Sequence, residues 1–240
     1  PELGNPDIGS ERAAQIVAGV DQGFPLPGNE AGGLLRVEFY RTARSDLVVH
    51  PDDPTGGVEP PFQNVGSGTD RGFDVLFAAR TGRISGMVTY GFLVSDRVNP
   101  LHTVFATEVE PPQDQRHTFG ASSEFQITGR WRATARYTFH SGRPVSTVEA
   151  AGADFAGITC LNCVRLGPTH DLALRAEWRK AYDRQLWSIY VEVLNAPNFR
   201  SDFTPIHSVV DAGTGAGPVL ESSMLSHLPV RPFLGIRSDF

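Results

Sequence analysis

Two cysteines, Cys160 and Cys163, seven scattered histidines and a set of closely spaced arginines are the residues able to do chemistry in this 240-residue chain. ITCLNC places the cysteines in a C-x-x-C spacing between two prolines, Pro144 and Pro168, that lie in loop-like sequence. In an oxidising compartment that spacing closes a small disulfide ring; a redox-enzyme reading needs a βαβ context, which is missing, and a zinc site needs further ligands beyond His170. Disulfide, free thiols and metal stay open in that order. The other histidines (His50, His102, His117, His140, His207, His227) have no nucleophile turn of the G-x-S-x-G kind beside them. GTGAG at 213–217 lacks the lysine of a phosphate loop. No catalytic constellation and no cofactor motif emerges, and the chain is expected not to be an enzyme. A net charge of −6 argues against a nucleic-acid partner.

The arginines make sense only with the elements that carry them. In RHTFGASSEFQITGRWRATARYTFH, Arg116 to His140, Phe119, Ala121, Ser123, Phe125 and Ile127 alternate with polar residues. After a Thr128-Gly129 turn, Trp131, Ala133, Ala135, Tyr137 and Phe139 oppose Arg130, Arg132, Arg136 and His140. Period-2 alternation defines a strand with one apolar and one polar side. Each run lasts about ten residues, against the usual five or six, and about ten tilted residues cross a bilayer within a β-barrel. The spacing therefore predicts a membrane-spanning hairpin, apolar side to lipid and arginines toward a water-filled lumen. A half-solvated hairpin of a soluble sandwich is the bland alternative.

The same pattern recurs. AAQIVAGVD, LLRVEFYRTARSD, NVGSGTDRGFDVLFAAR, ISGMVTYGFLVSD, the two runs above, THDLALRAEWRK, QLWSIYVEVLN and VRPFLGIRSDF give nine candidate strands. After the first, connections alternate long and short: 46–62, 97–115, 141–168 and 196–228 are long, whereas 81–83, 128–129 and 182–183 are tight. Sorting of long loops to one end is the outer-membrane arrangement, short turns in the periplasm and long loops outside. Trp131, Trp178 and Trp187 each sit near a short turn on the apolar side, as an aromatic girdle at the inner interface would, with Tyr137 and Phe139 toward the outer one. Gly (25) and Pro (18) abound, and no apolar run reaches the roughly twenty residues of a membrane helix. The chain opens on Pro1 with no leader after it, so it reads as cut from something longer.

Eight strings then resemble, in order, the C-terminal barrel of TonB-dependent outer-membrane receptors. NPDIGSER (from Asn5) is similar to the segment NPxLxPE, with Ser10 where proline is usual. RVEFYRTARSDLV (from Arg36) resembles FYxxxxDLI, and NVGSGTDRGFDV (from Asn64) resembles NxGxxxxxGxE with Asp74 where glutamate is commoner. PQDQRHTF and YTFHSGRPV resemble PxxxxHxF and YxxGRPY; GPTHDLALR and VEVLNAPNFR resemble PxxxxLDLR and xxVxNLFN. LPVRPFLGIRSDF ends as PxPxRxFxxGxxxxF.

The resemblance implies that 1–240 is the last nine or so strands of a 22-stranded antiparallel up-and-down barrel, its plug and first strands outside this chain. It implies energy-driven uptake of a siderophore, metal chelate or oligosaccharide across the bacterial outer membrane. The partners implied are outer-membrane lipid, a small ligand, the TonB energy complex acting through the absent N-terminal region, and the barrel-assembly machinery. That machinery would read the terminal strand with Leu234, Ile236 and Phe240 by adding it to a sheet edge. Arg130, Arg132, Arg136, Arg175 and Arg179, with Arg36, are candidate lumen contacts to ligand or plug, or pair structurally with Glu38, Glu124 and Glu177. A passive porin-like barrel and a soluble adhesin or lectin domain are the rival functions.

Overall fold

A computed structural model describes residues 5–28, 31–52, 62–150, 156–182, 185–211, 218–226 and 228–239. Fourteen strands follow one another with no helix among these residues: β1 (Arg12–Pro25), β2 (Gly32–Val49), β3 (Gln63–Thr81), β4 (Ile84–Val98), β5 (Glu108–Val109), β6 (His117–Gln126) and β7 (Trp131–His140), then β8 (Pro144–Ala150), β9 (Ala156–Arg165), β10 (Thr169–Tyr182), β11 (Gln185–Leu194), β12 (Asp202–Asp211), β13 (Pro218–Ser226) and β14 (Arg231–Asp239).

Ten strands form one antiparallel sheet, in the order β1-β2-β3-β4-β6-β7-β10-β11-β14 with short β5 added to β4. Its nine long members are the nine strands expected from alternation. The sheet does not close: β1 and β14 stand at its two ends, each hydrogen-bonded to one neighbour. The long connections are not plain loops, however. The third contains the hairpin β8–β9 and the fourth the hairpin β12–β13, each a separate two-stranded sheet.

Tight turns explain one end of the sheet. Thr81 pairs with Ile84 across Gly82, whose φ of 53° is a conformation that glycine adopts freely. Between β6 and β7 the Thr128 hydroxyl accepts hydrogen bonds from the amides of Arg130 (3.3 Å) and Trp131 (3.1 Å), replacing ladder partners lost in the turn. At the other end β2 slips register against β3 around Asp46, at φ 57°, where Asn64 Nδ2 donates to the Asp46 carbonyl at 2.7 Å. Such a bulge bends a strand and strengthens its twist.

Register assembles the apolar face row by row. Val20 lies opposite Val37, then Val75, Tyr90, Phe119, Phe139 and His170 across successive strands. Nearer the turns, Ile84 leads through Phe125, Ala133, Ala176 and Val191 to Leu234. This face is not covered. Phe125 is 44% exposed, Leu174 43%, Ile189 42% and Ile236 67%, while, prolines and glycines aside, Ala173 is the one buried apolar residue of the described set. The side chains withdrawn from solvent are polar instead: Thr42, Asp70, Ser95, Asp114, Glu177 and Ser188. A soluble domain does the reverse, rarely leaving contiguous apolar patches above a few hundred Å² open.

Candidate functional site

The charged side of the sheet is a chain of compensated ion pairs. Arg36 grips Asp21 through two hydrogen bonds of 2.7 and 2.6 Å. Asp70 accepts from Arg44 Nε (2.6 Å) and Arg97 Nη1 (2.8 Å), and from the Ser95 hydroxyl. Arg132 pairs with Glu124 across β6 and β7 at 2.6 Å. Glu177, 5% exposed, holds Arg175 (3.1 Å) and Arg179 (2.6 Å), its neighbours two residues away on β10 itself, and Arg175 also approaches Glu192 on β11 at 3.8 Å. Arg175 further stacks on the Tyr190 ring at 3.7 Å, and Tyr190 in turn lies over Gly235, where a Cβ would strike the ring.

Not every expected arginine behaves alike. Arg130 belongs to the turn before β7 and is exposed; its carbonyl accepts from the Arg179 amide at 2.8 Å. Arg136 is exposed between Ser122 and Ala173, with no ion pair among the described residues. Glu38, expected to neutralise an arginine, instead stands directly opposite Asp74, and Arg36 takes Asp21. Periodicity gives the face of a residue but not its partner, because partners depend on register.

At the loop end a second network ties the connections together. Asp114 is fully buried; it pairs with Arg165 and, at 3.6 Å, with Arg116, and accepts from the Ser95 amide at 3.2 Å. Glu110 pairs with both arginines, and Asn162 Nδ2 donates to its carbonyl at 2.9 Å. The 99–116 connection is thereby fixed to the β8–β9 hairpin. Asp52 performs the same service for the first long connection: its carboxylate accepts from the amides of Thr103 (3.0 Å), Val104 (2.7 Å) and Phe105 (2.8 Å). Burial works against ionisation of Asp52, but those donors outweigh it and hold the carboxyl well below the usual range. Arg143 donates to Thr204 Oγ1 and so reaches β12. All four long connections form one linked cap.

Beneath the cap lies a cavity of about 270 Å³ whose wall includes Gln115, Thr138, His140, Arg143, Thr169 and Asp171. The Nδ1 atom of His140 is buried there without a hydrogen bond. The cavity offers donors and one carboxylate to a polar ligand. No group of three His, Cys, Asp or Glu able to hold a metal occurs among the described residues. Cys160 and Cys163 are joined as a disulfide within β9, across Asn162 at φ 50°. Spacing singles out none of Asp52, Glu110, Asp114 and Arg165, but it names His140 and His170 of the cavity wall, and the strings PQDQRHTF, YTFHSGRPV and GPTHDLALR carry Asp114 to Arg116, Thr138 to Arg143 and Thr169 to Asp171.

The remaining expected residues fall on the apolar face. Trp131 lies opposite Trp178, Trp178 opposite Ile189, and Trp187 opposite Lys180, all at the turn end. Toward the loop end Tyr90 and Tyr137 hydrogen-bond His117 and His170 at 2.8 Å each, beside Phe92 and Phe139. Leu234 (73%) and Ile236 (67%) are exposed on β14. Phe240 and the GTGAG stretch lie outside the described residues.

A wall of long antiparallel strands, apolar on its exposed side and ionic on the other, defines a segment of a large β-barrel. Residues 1–196 match the family model described as "TonB dependent receptor-like, beta-barrel", and the chain belongs to that family. Among solved structures it is similar to the ferric-catecholate import receptor Fiu from E. coli K12 in its closed form, at 14% identity and a TM-score of 0.63. That match covers 98% of this chain and 28% of the receptor, so the chain spans under a third of the length of that relative. A comparison with curated proteins finds no match.

Proposed function

We propose that the chain is the C-terminal part of the barrel of a TonB-dependent outer-membrane receptor, which imports a small ligand at the expense of inner-membrane energy. On this reading the apolar face meets lipid, the ionic face lines the lumen, the tight turns lie in the periplasm and the linked cap faces outward. The inversion of burial carries it: exposed Phe125, Leu174 and Ile189 against buried Asp70 and Glu177 suit a wall between hydrocarbon and water. The ligand is a siderophore, another metal chelate or an oligosaccharide. Arg136 and the cavity under the cap are its contacts within this chain, and the likeness to the ferric-catecholate import receptor Fiu supports the metal-chelate arm. A plug and an energy-coupling segment belong to the part of the receptor preceding these strands. The TonB energy complex and the barrel-assembly machinery are the partners, the latter engaging β14 with Leu234, Ile236 and Phe240.

Growth of a receptor-deletion strain on candidate iron and sugar sources tests the reading. Restoring the full-length gene should rescue growth on one class of source, and only when the energy complex is intact. Rescue independent of that complex would instead mean a passive pore. Arg136→Gln should weaken uptake by about tenfold, the order expected when one charge-assisted hydrogen bond to ligand is lost.

A further inference from the structure

Three arginines stand on the apolar face, and two of them, Arg41 and Arg71, lack an ion pair among the described residues; the third, Arg12, pairs with Asp46. Along β2 the residues sharing a side with Leu35, Val37 and Phe39 continue to Arg41, and along β3 those sharing a side with Phe77, Val75 and Phe73 continue to Arg71. Register sets Arg41 directly opposite Arg71. Like charges so placed repel each other across a ladder. Both are exposed, and neither makes an ion pair or hydrogen bond with a described residue. The carboxylates nearby are committed elsewhere: Asp70 and Asp21 serve Arg44, Arg97 and Arg36 on the opposite face, and Asp46 serves Arg12. Asp96, on the arginines' own face opposite Thr69, is not within ion-pair distance of either.

Their height is equally informative. The pair sits one step to the loop side of Phe39 and Phe73, whose rings are 5.9 Å apart, with Phe92 a further 5.7 Å from Phe73. Aromatic rings of this kind mark the border between hydrocarbon and headgroups, where a long cationic side chain lays its stem on apolar surface and lifts its charge into the polar layer. At the same border the Tyr90–His117 pair continues the polar rim. The rim thus offers two guanidinium groups, without a counter-charge among the described residues, to whatever lies at that level.

We propose that Arg41 and Arg71 together bind the phosphate of an anionic lipid headgroup in the outer leaflet. A phosphate oxygen pair accepts from the planar forks of two guanidinium groups, which cancels their mutual repulsion and fixes one lipid against β2 and β3. The proposal rests on the reading that the apolar face meets lipid.

Tail-labelled phosphatidylglycerol and phosphatidylcholine, titrated separately against the detergent-solubilised full-length receptor and followed by fluorescence anisotropy, separate the outcomes. The wild type should bind phosphatidylglycerol more tightly than phosphatidylcholine, and added salt should erase the difference. Arg41→Gln with Arg71→Gln should lower phosphatidylglycerol affinity by about tenfold or more and leave phosphatidylcholine binding unchanged. Arg80→Gln, on the opposite face, should change neither. Heat-modifiable gel migration reports assembly of each variant; should the double variant fail to assemble, each single variant must still show a partial loss. Equal binding of the two lipids by the wild type, or wild-type binding by the arginine variants, overturns the phosphate site alone. Failure to bind either lipid overturns the lipid-facing assignment as well.

Discussion

Asp52 shows how much one carboxylate can organise. It gathers three consecutive backbone amides, Thr103 to Phe105, and the Thr103 hydroxyl, and so bridges two connections far apart in sequence. Replacing it by alanine should speed amide exchange at 103–105 by about tenfold, read by hydrogen-exchange mass spectrometry, since charge-assisted hydrogen bonds are the strong ones. The pH response has a defined sign. The folded carboxyl titrates below its unfolded value, so the tether is complete above the ordinary aspartate range and is lost only as pH falls through the depressed value. Corrected for intrinsic rate, exchange at 103–105 should therefore stay flat from neutral pH to about pH 4 and rise only in stronger acid. A second residue-scale test concerns Gly235, which leaves room for the Tyr190 ring beneath Arg175. Gly235→Val should displace that ring and cost about 1–3 kcal/mol, measured by equilibrium refolding of the receptor into bilayers. Neither role was legible in the sequence. Asp52 and Gly235 look like ordinary loop and strand residues until docking and register bring their partners close.

At the scale of elements the sequence said far more. Strict alternation over the Phe119–Phe139 stretch, and again in β2, β3, β4 and β10, specifies both strand and face, because a one-residue slip would turn every side chain over. The hairpins β8–β9 and β12–β13 were hidden in connections for a reason. DFTPIHSVVD carries a proline within β12, and β9 is broken by the positive φ of Asn162, so neither shows a clean period. The two faces should respond oppositely to charge. Leu174→Arg, on the exposed apolar side, should destabilise the folded receptor in bilayers by about 2–4 kcal/mol, whereas Arg136→Gln on the ionic side should leave refolding unchanged. Equal effects from both would remove the distinction between a hydrocarbon side and a water side.

For the whole molecule the open sheet is decisive. The edges of β1 and β14 expose ladder groups on an apolar wall, an arrangement that recruits other strands. The 240-residue piece expressed alone should aggregate in water and disperse only with detergent, as sedimentation would report; a monodisperse soluble monomer would contradict the wall. The order of the nine long strands was readable from their alternating connections, whereas the way four connections lock into one cap was not. That lock depends on Asp114 and Arg165, which are 51 residues apart and meet only through the strands between them.

The hairpins β8–β9 and β12–β13 share no ladder with the wall. Residues can be inserted or deleted at their tips without shifting the pairing of any spanning strand. Selection can accordingly rework the rim at the loop end while the scaffold beneath keeps its registry, which makes the two hairpins the natural places to graft new sequence.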